Sequence, residues 1–489
     1  MEKFLMGIDI GGTNIKAAIF DTNGNEISKS SRQTPVEVKQ DIYHMRDMDV
    51  LWDKIIEIIK ESVEKASILP QQIAAIGTTG HGKGMYLWGK DNKPCYHGVP
   101  STDRRAEGVV AKWKADGTCE EARKLTLQNT LACQPVALLA WLKEFEPQAY
   151  SNVQWIFEAK DYVRFMLTGE PMAEYTDTSG TCTMNLITKE YDERIMEIYG
   201  IPEMFSCLPP LRKSSDLCGY VSEKAAVQTG LCPGTPVCGG MFDIDACAIA
   251  MDVSSPEPLC IVTGTWSINI YLSENRVDPR HPVNHSLFCV PGYYLIEESS
   301  PTSAGNLDWV LSTLFGLDEP DYKDIDNQVA NLDPDSSNVF FLPFLYGSNS
   351  DTVRNAVFAG LNSGHSRADV LRAVYEGVVF SHKQHIDKLL VHRSTPPFAR
   401  VGGGGANSDV WMQMFADILN MNVEVVEGKE LGAKGAAMAA AICSGMYTGY
   451  PEAANSMVRI RKTFYPNPVM HEKYLKKYET YNKLSNGNL

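Results

Sequence analysis

The feature that most constrains this chain is a pair of glycines between two apolar segments close to its start. The segments are residues 4–10 (FLMGIDI) and 15–20 (IKAAIF), and Gly11-Gly12 lies between them. Short apolar segments on either side of a glycine turn predict two buried strands joined as a hairpin. A third strand is predicted near residues 26–28, so we expect the chain to begin with three antiparallel strands.

The same hairpin has the chemistry of a phosphate site. Glycines let backbone N–H groups approach an anion because no Cβ stands in the way. The Thr13 hydroxyl adds a donor, and Asp9 is a carboxylate of the kind that holds Mg²⁺ through water. The alternative interpretation is an ordinary hairpin that happens to contain glycines.

A second strand–turn–strand pattern covers residues 259–270, where Thr263-Gly264-Thr265 separates two apolar segments. Alone it could be a simple turn, but two such hairpins would clamp a polyphosphate and its metal. The chain of 489 residues is also too long for one ordinary core. We therefore predict two related domains, residues 1–250 and 251–489, each with a hairpin near its start.

An aspartate follows the glycine pair Gly239-Gly240 after another short apolar segment. Phosphoryl transfer to an alcohol needs a group that accepts the hydroxyl proton and orients the oxygen, and Asp243 is the candidate for this role. Asp245, two residues later, is the competing candidate. Either carboxylate could instead cap the helix that is predicted to start here.

Two polar segments have side chains that suit a sugar. Lys83, in the glycine-rich segment 80–84 (GHGKG), could donate hydrogen bonds to sugar hydroxyls. Asp103 and Arg104 combine an acceptor with a donor, as a polyol site requires. The alternatives are a flexible surface loop for the first segment and a salt-bridged helix start for the second.

A run of four glycines, residues 402–405, follows a predicted strand and precedes a helix predicted from about residue 410 to 419. Bare backbone of this kind could accept the flat adenine and the ribose of a nucleotide. The run does not form the GxGxxG pattern in its usual place near a chain start, so NAD binding is not predicted.

Charge and apolar patterning exclude several classes of function. The formal net charge of −15 argues against a broad nucleic-acid or anionic-membrane surface. No segment reaches the roughly 18 apolar residues of a membrane span, and the first residues lack the pattern of a signal peptide. We therefore expect a cytoplasmic protein without nucleic-acid or membrane partners, whose 12 cysteines are free thiols.

In this order, the motifs resemble those of the FGGY family of carbohydrate kinases, and the resemblance runs nearly from end to end. Further segments that carry it are residues 160–162 (KDY), 167–169 (LTG), 375–380 (YEGVVF) and 402–411. Within the family the chain looks most like bacterial L-xylulose kinases, on residues 82–84 (GKG), 301–307 (PTSAGNL), 341–349 (FLPFLYGSN) and 408–414 (SDVWMQM). The loop His81-Gly82-Lys83 differs from the Gln-Met-His-Gly of D-xylulose kinases and the Gln-Arg-Glu of glycerol kinases.

The resemblance implies an α/β protein of two actin-like (ribonuclease H-like) domains with a nucleotide and sugar cleft between them. It implies ATP and Mg²⁺, with the metal near Asp9 and Asp243 and with Asp243 as the catalytic base. The implied ATP-binding residues are Gly11, Gly12, Thr13, Asn14, Lys16, Thr265, Gly402, Gly403 and Asn407. The implied sugar-binding residues are Lys83, Asp103, Arg104 and Asp243.

The predicted activity is transfer of the γ-phosphoryl group of ATP to a terminal hydroxyl of a ketopentose, with L-xylulose as the preferred candidate. Other sugars, polyols and sugar acids, such as D-xylulose, erythritol and gluconate, stay open. The competing classes are an actin-like ATPase with a protein partner and a sugar sensor without catalysis. A sugar and ATP are the expected partners, and the sequence leaves open a homodimer.

Overall fold

The computed structural model describes residues 2–278, 283–345, 347, 355–391 and 393–487, so residues 346, 348 and 349 of the segment 341–349 lie outside the described residues. The chain divides into two compact units. The first comprises Met1–Ser254, Ser273–Leu295 and Glu430–Val458, and the second comprises Ser255–Leu272, Ile296–Lys429 and Arg459–Leu489. Both units combine strands and helices, which confirms the predicted α/β class. The predicted domain boundary at residues 250/251 stays a prediction.

A sheet of mixed direction forms the centre of the first unit. Asn14–Asp21 pairs antiparallel with both Phe4–Ile10 and Glu26–Gln33, which confirms the predicted three-stranded start. Ile73–Gly80 pairs parallel with Phe4–Ile10. The other strands of this sheet are Leu217–Tyr220, Pro236–Cys238 and Met241–Phe242.

The helix Leu431–Cys443 lies against this sheet at backbone contact. A Cβ on Gly7 would overlap the carbonyl oxygen of Ala433, and a Cβ on Gly77 would overlap that of Ala436. Only glycine leaves room for the helix at these two strand positions. The helix itself is rich in alanine and glycine, so small residues on both elements set the spacing between helix and sheet.

The helix Met48–Ala66 packs on the antiparallel part of the sheet. Asp47 caps its start by accepting from the N–H groups of Asp49 and Val50, and Ser67 ends it in the left-handed conformation. Burial of each large apolar side chain on its inner face contributes about 1.5–3 kcal/mol. That face comprises Met48, Leu51, Trp52, Ile55, Ile58 and Ile59.

Helices and short strands make up the rest of the first unit. A second apolar cluster, separate from the sheet core, includes Leu138, Trp141 and Ile195. The other helices are Glu107–Ala115, Thr118–Thr126, Pro135–Phe145, Pro147–Asn152, Ala159–Thr168, Tyr175–Thr178, Glu193–Ile198, Glu223–Thr229, Asp243–Ala250 and Tyr450–Met457. The other strands are Glu37–Lys39, Tyr43–Met45, Tyr86–Gly89, Val153–Phe157, Ala173–Glu174, Met184–Asn185, Glu190–Tyr191, Leu211–Arg212 and Asn284–Leu287.

The second unit is also built on a sheet of mixed direction. Leu259–Thr263 pairs antiparallel with Ser267–Ser273 and parallel with Phe398–Gly402, which confirms the second predicted hairpin. Asn422–Val426 pairs parallel with Phe398–Gly402 and antiparallel with Ile460–Phe464. The other strands are Tyr294–Ser300, Phe340–Leu342 and Val357–Ala359.

The longest helix of the second unit is Arg367–Leu390, and a capping box of Ser366 and Asp369 starts it. Ser408 caps the helix Asp409–Leu419 by accepting from the N–H group of Trp411, which confirms the helix predicted after the glycine run. The other helical segments are Gly305–Trp309, Val310–Leu314, Tyr322–Ala330 and Pro468–Ser485. In the part of the chain that the structure describes, neither unit contains a helix with the length and apolar character needed to cross a membrane.

The twelve cysteines are free thiols, as predicted, and seven of them are buried. Burial raises the pKa of the Cys133 thiol to about 11 and that of Cys95 to about 12. Because the thiolate is the reactive form, these two cysteines are poor nucleophiles at neutral pH.

Replacing Gly7 with alanine is expected to lower the free energy of unfolding by at least ~3 kcal/mol, because the new methyl group would overlap the Ala433 carbonyl. Gly108→Ala is the matched control. Gly108 lies in the helix Glu107–Ala115, and no atom would lie within 4 Å of its Cβ. That change should be neutral or stabilising by up to ~1 kcal/mol. Urea unfolding followed by circular dichroism measures both variants, and equal stabilities would contradict the packing described here.

Candidate active site

Parallel strands bring two of the predicted site residues to one edge of the first unit's sheet. Asp9, near the end of the first strand, stands opposite Thr79. Phe242 stands opposite Gly80 on the other side of the same central strand. Asp243 follows Phe242 directly, so the predicted metal ligand and the predicted base lie at the same ends of neighbouring strands.

The protein around Asp9 shields its carboxylate from water. This desolvation raises the pKa of Asp9 to about 6, against the opposing effect of the Lys16 ammonium and with a smaller contribution from Glu430. A Cβ on Gly432 would lie 2.6 Å from the Oδ2 atom of Asp9. The absence of a side chain at Gly432 therefore gives the carboxylate access to a helix start, where backbone N–H groups favour negative charge.

The glycine hairpin exposes its turn. Gly11 is needed for the turn itself, because a Cβ there would lie 2.6 Å from the carbonyl oxygen of Asn14. Gly12, Thr13 and Asn14 are exposed, and the space around the Cβ position of Gly12 is open. The Asn14 amide donates to the Thr13 hydroxyl over 3.3 Å. The turn thus has the exposed backbone and hydroxyl group that an anion site needs.

Lys16 contacts a carboxylate of its own unit. Its ammonium lies 2.7 Å from Oε2 of Glu430, and the ammonium of Lys29 lies 2.8 Å from Oε1 of the same residue. Lys16 also stands opposite Asp9 in the register of the hairpin. Its role as an ATP ligand stays a prediction, since the contact in this structure is with Glu430.

The loop after Ile73–Gly80 packs against the segment that carries the predicted base. A Cβ on Gly82 would overlap the ring of Phe242 and would lie 2.9 Å from Oδ1 of Asp177. Lys83 adopts a φ of +60°, a left-handed conformation that costs about 1–2 kcal/mol for a residue with a Cβ. Gly82 therefore lets the loop approach the residue that precedes Asp243.

Asp243 is the first residue of the helix Asp243–Ala250. Just before it, the N–H group of Phe242 donates to Oγ1 of Thr176 over 2.9 Å, which fixes the backbone ahead of the carboxylate. Asp243 is half-buried, so part of it can be reached from outside the protein. A partly exposed carboxylate at a rigid strand end is well placed to accept a proton from a bound alcohol.

Asp245 has a different environment. Its carboxylate is fully buried, and Oδ1 accepts from the N–H group of Cys289 over 2.8 Å. Burial raises the pKa of Asp245 well above its usual range. Because Asp245 lacks an exposed surface at which a substrate hydroxyl could meet it, the structure favours Asp243 as the candidate base.

The loop also touches a buried charged cluster for which the sequence motifs predict no functional role. The ammonium of Lys160 lies 2.7 Å from Asp161, 3.6 Å from Glu174 and 3.6 Å from Asp177. Neither oxygen of Asp177 has a hydrogen-bond partner among the described residues, and burial raises the pKa of this carboxyl well above its usual range. Asp177 is the member that meets Gly82, and it is as buried as Asp245, so its contact is with the loop.

Asp103 forms a buried ion pair with Arg105. The Nε and Nη2 atoms of Arg105 donate to its two oxygens over 2.8 and 2.7 Å. The backbone N–H groups of Arg105 and His44 donate to the same carboxylate over 2.9 and 2.7 Å. The sequence prediction joined Asp103 to Arg104, whereas the structure joins it to Arg105.

Arg104 is directed elsewhere. Its side chain is 58% exposed, and its Nε atom donates to Glu107 over 2.6 Å. Arg104 is therefore exposed whereas its neighbour Arg105 is buried, a difference that the sequence alone does not reveal. The sugar-binding role of Arg104 stays a prediction.

In the second unit, the glycine run lies next to the second hairpin. Gly402 ends a strand that pairs with the hairpin, and Gly403 follows with a φ of +91°. A Cβ on Gly403 would lie 2.6 Å from the carbonyl oxygen of Thr263. Thr265 is exposed at the turn of the hairpin. The predicted phosphate and adenosine segments of this unit are therefore neighbours.

Asn407 closes the short helical turn that follows these glycines. Its side-chain amide donates to the carbonyl oxygen of Gly404 over 3.0 Å, and the residue is exposed. Asn407 therefore stabilises the glycine run through its side-chain N–H group. Its contact with adenosine stays a prediction.

A buried histidine supports the second hairpin, and sequence reasoning did not identify it. His382 shares hydrogen bonds through Nε2 with Ser303 over 2.8 Å, and through Nδ1 with Ser267 over 3.0 Å and Asn269 over 2.8 Å. The Ser303 hydroxyl in turn lies 3.2 Å from that of Thr263. Burial lowers the pKa of His382 to about 3, so the network is neutral at physiological pH.

The residues of the first unit fit a metal that brings its own water ligands. No three His, Cys, Asp or Glu side chains within the described ranges are grouped to enclose a metal ion. Mg²⁺ keeps several waters and shares ligands with substrate phosphates, so one or two carboxylates are enough to hold it. Asp9, beside the exposed hairpin, matches that requirement.

The two neighbouring arginines are expected to differ sharply in their effect on stability. Arg105→Ala leaves the buried Asp103 carboxylate without its cation and should lower the free energy of unfolding by about 3–5 kcal/mol. Arg104→Ala removes only an exposed pair and should change it by less than ~1 kcal/mol. Urea unfolding of the two variants measures the difference. A larger loss in the Arg104 variant would show that the buried pair is misassigned.

Comparisons with known proteins cover nearly the whole chain. The model of the N-terminal domain of the FGGY family of carbohydrate kinases matches residues 4–250, and that of the C-terminal domain matches residues 259–444. A probable L-xylulose kinase of Haemophilus influenzae is 39% identical, over 98% of each chain. An L-xylulose/3-keto-L-gulonate kinase of Escherichia coli is 35% identical, over 99% of this chain and 97% of the relative.

A solved structure gives the same result for the fold. The crystal structure of gluconate kinase from Lactobacillus acidophilus superposes with a TM-score of 0.91 over 100% of this chain and 98% of that one, at 22% identity. At this identity the likeness shows the fold alone. The two domain models cover most of the chain, and the full-length relatives exceed 30% identity. This chain therefore belongs to the FGGY family of carbohydrate kinases, which are phosphotransferases with an alcohol group as acceptor.

Proposed function

We propose that this kinase transfers the γ-phosphoryl group of ATP to a terminal hydroxyl of a ketopentose, and that the ketopentose is L-xylulose. Full-length similarity to two bacterial proteins with L-xylulose in their names supports the choice of sugar. The loop His81-Gly82-Lys83 argues against D-xylulose and glycerol, because it differs from the loops expected for the kinases of those two substrates.

One observation carries the proposal: the alignment of Asp9, the Lys83 loop and Asp243 at one edge of the first unit's sheet. Asp9 and Phe242 flank the same strand, and that strand runs directly into the loop. A phosphate site, a polar sugar site and a proton acceptor are the three things that phosphoryl transfer to an alcohol requires. The strand register supplies a candidate for each within a few residues.

In the proposed reaction the sugar hydroxyl oxygen attacks the γ-phosphorus of ATP. The Asp243 carboxylate accepts the hydroxyl proton, the bond between the γ-phosphorus and the bridging oxygen breaks, and ADP leaves. Lys83, Asp103 and Arg104 are the proposed sugar ligands. Orientation of the hydroxyl by these groups would supply much of the rate enhancement.

The nucleotide is proposed to bind through both hairpins. Backbone N–H groups of Gly11 and Gly12 and the hydroxyl of Thr13 would contact phosphate from the first unit, and Thr265 from the second. The other proposed ATP ligands are Asn14, Lys16, Gly402, Gly403 and Asn407. Preorganised donors of this kind stabilise the charge that develops in the transition state.

Mg²⁺ is proposed to bind with ATP at Asp9 and Asp243. When bound, it would neutralise charge on the β- and γ-phosphate oxygens. The pKa of about 6 for Asp9 means that the carboxylate is mostly ionised at pH 7 even without the metal. Asp9 is therefore ready to accept a cation at physiological pH.

Asp243→Asn is expected to lower kcat for L-xylulose phosphorylation by about 10²- to 10⁴-fold, because the amide cannot accept the hydroxyl proton. Affinity for ADP in the absence of Mg²⁺ should stay within about threefold of the wild type, since Asp243 is proposed to act on the nucleotide only through the metal. A coupled assay of ADP release measures kcat, and calorimetry measures ADP binding.

Asp245→Asn is the matched control for the base. Its carboxylate is buried and hydrogen-bonded to Cys289, so its loss should reduce thermal stability more than kcat. If the Asp245 variant loses turnover while the Asp243 variant keeps it, the two roles have been assigned the wrong way round.

Substrate identity is tested with a panel of L-xylulose, 3-keto-L-gulonate, D-xylulose, gluconate, erythritol and glycerol. We expect L-xylulose to give the highest kcat/KM, and glycerol to give turnover at least ~10²-fold lower, because unfilled polar sites lose the interactions that select a substrate. ADP release is measured with each compound and without sugar. If another compound gives a higher kcat/KM, that compound replaces L-xylulose as the proposed substrate. ATP hydrolysis that is independent of all six compounds would favour an actin-like ATPase.

A further inference from the structure

Arg46 is a buried cation directly behind the glycine hairpin. It follows the strand Tyr43–Met45 and is 1% exposed. Its Nη2 atom donates to the carbonyl oxygen of Gly12 over 2.6 Å and, more weakly, to that of Gly11 over 3.4 Å. Its Nη1 atom donates to the hydroxyl of Tyr86 over 3.0 Å.

Arg46 differs from every other well-buried arginine in the described part of the chain. Each of the others has a carboxylate within ion-pair distance: Arg105 with Asp103, Arg164 with Asp161, Arg372 with Glu376 and Arg400 with Glu424. No carboxylate within the described residues lies at that distance from Arg46. A buried charge is normally paired, because leaving it unpaired in a low-dielectric interior is costly. A guanidinium without a protein counterion therefore points to an anionic ligand nearby.

The contacts of Arg46 also fix which way the hairpin faces. In a trans peptide the C=O and N–H groups point in opposite directions. Because Arg46 donates to the carbonyl oxygens of Gly11 and Gly12, the N–H groups of Gly12 and Thr13 point away from it, toward the exposed side of the turn. That is the side on which an anion can approach the hairpin.

Arg46 is itself held in place by residues on both sides of Lys83. The hydroxyl of Tyr86 accepts from Arg46, so its own hydrogen is free to be donated to Nε2 of His81, 3.1 Å away. The backbone N–H group of His81 donates to the carbonyl oxygen of Ile10 over 3.0 Å. Burial and the charge of Arg46 lower the pKa of His81 to about 3, so the imidazole is neutral at physiological pH and accepts the hydrogen bond from the Tyr86 hydroxyl.

We propose that Arg46 is a positioning residue for the phosphates of ATP. It orients the N–H groups of the hairpin, and its fixed positive charge is balanced by the phosphate that binds to them. This inference rests on the proposed function, because it takes the anion at the hairpin to be nucleotide phosphate. Arg46 acts through the backbone of Gly11 and Gly12, and the triphosphate rather than the adenosine is the part of the ligand that it affects.

The test compares two ligands that differ in their phosphates. Arg46→Met should weaken binding of AMP-PNP with Mg²⁺ by about tenfold or more and leave the Kd for adenosine within about twofold, both measured by calorimetry. Arg46→Lys keeps the charge without the planar fork, so it should recover part of the lost AMP-PNP affinity. A merely structural role would lower thermal stability and affect both ligands alike.

Arg372→Met is the matched control. Arg372 is 4% exposed and, like Arg46, donates to backbone carbonyl oxygens and to a tyrosine hydroxyl, that of Tyr474 over 2.7 Å. It differs in having Glu376 as its counterion. Its replacement should lower the melting temperature without changing the ratio of the adenosine and AMP-PNP dissociation constants.

Four outcomes would overturn the inference. If Arg46→Met binds AMP-PNP as the wild type does, or loses adenosine and AMP-PNP affinity equally, Arg46 does not position phosphate. If Arg372→Met changes the ratio as much as Arg46→Met does, the effect is not specific to the hairpin. If the wild-type protein binds no AMP-PNP, the proposed function fails first and this inference fails with it.

Discussion

The contact between the helix Leu431–Cys443 and the strands of the first unit is the constraint on which the candidate site depends. Glycines at positions 7 and 77 let the helix backbone reach the sheet, where any side chain would push it away. The start of the helix then lies at Asp9, and the residue before it, Glu430, meets Lys16 and Lys29. Helix packing, the environment of the predicted metal ligand and the ion pairs of the hairpin are thus consequences of one close backbone contact.

The buried charged groups of this unit differ in whether the protein itself supplies an oppositely charged partner. Lys160 is surrounded by three carboxylates, and Asp103 has Arg105 and two backbone N–H groups, so those groups are balanced within the protein. Arg46 is not balanced in this way, because no carboxylate among the described residues lies within ion-pair distance of it. Asp177, one of the carboxylates around Lys160, has an ion-pair partner but no hydrogen bond from the described residues. Both lie against segments that the proposed reaction uses. These two incompletely paired groups therefore lie beside segments that are proposed to bind substrates.

Local signals were enough to predict the first three strands, the two hairpins and the helix Asp409–Leu419, because glycine turns and apolar runs act within a few positions. The family was predicted from the same motifs. The sequence could not show that Glu430 pairs with Lys16, 414 residues away, or that Arg46 lies behind the hairpin, since neither contact has a local signature. It also could not tell which of Arg104 and Arg105 is buried, because both are arginines and the difference comes from tertiary packing.

The two hairpins share a strand–glycine–threonine–strand pattern, yet their supports differ in charge. Arg46 places a fixed cation behind the first, through the carbonyl oxygens of its glycines. Behind the second, His382 is neutral because burial lowers its pKa to about 3, and it acts through the hydroxyl of Ser303. A hydroxyl network orients donors without adding charge, whereas a buried guanidinium does both. The sequence echo between the hairpins therefore extends to their antiparallel strand pairing and not to their electrostatics, and the proposed preference for the more negative part of a ligand belongs to the first hairpin.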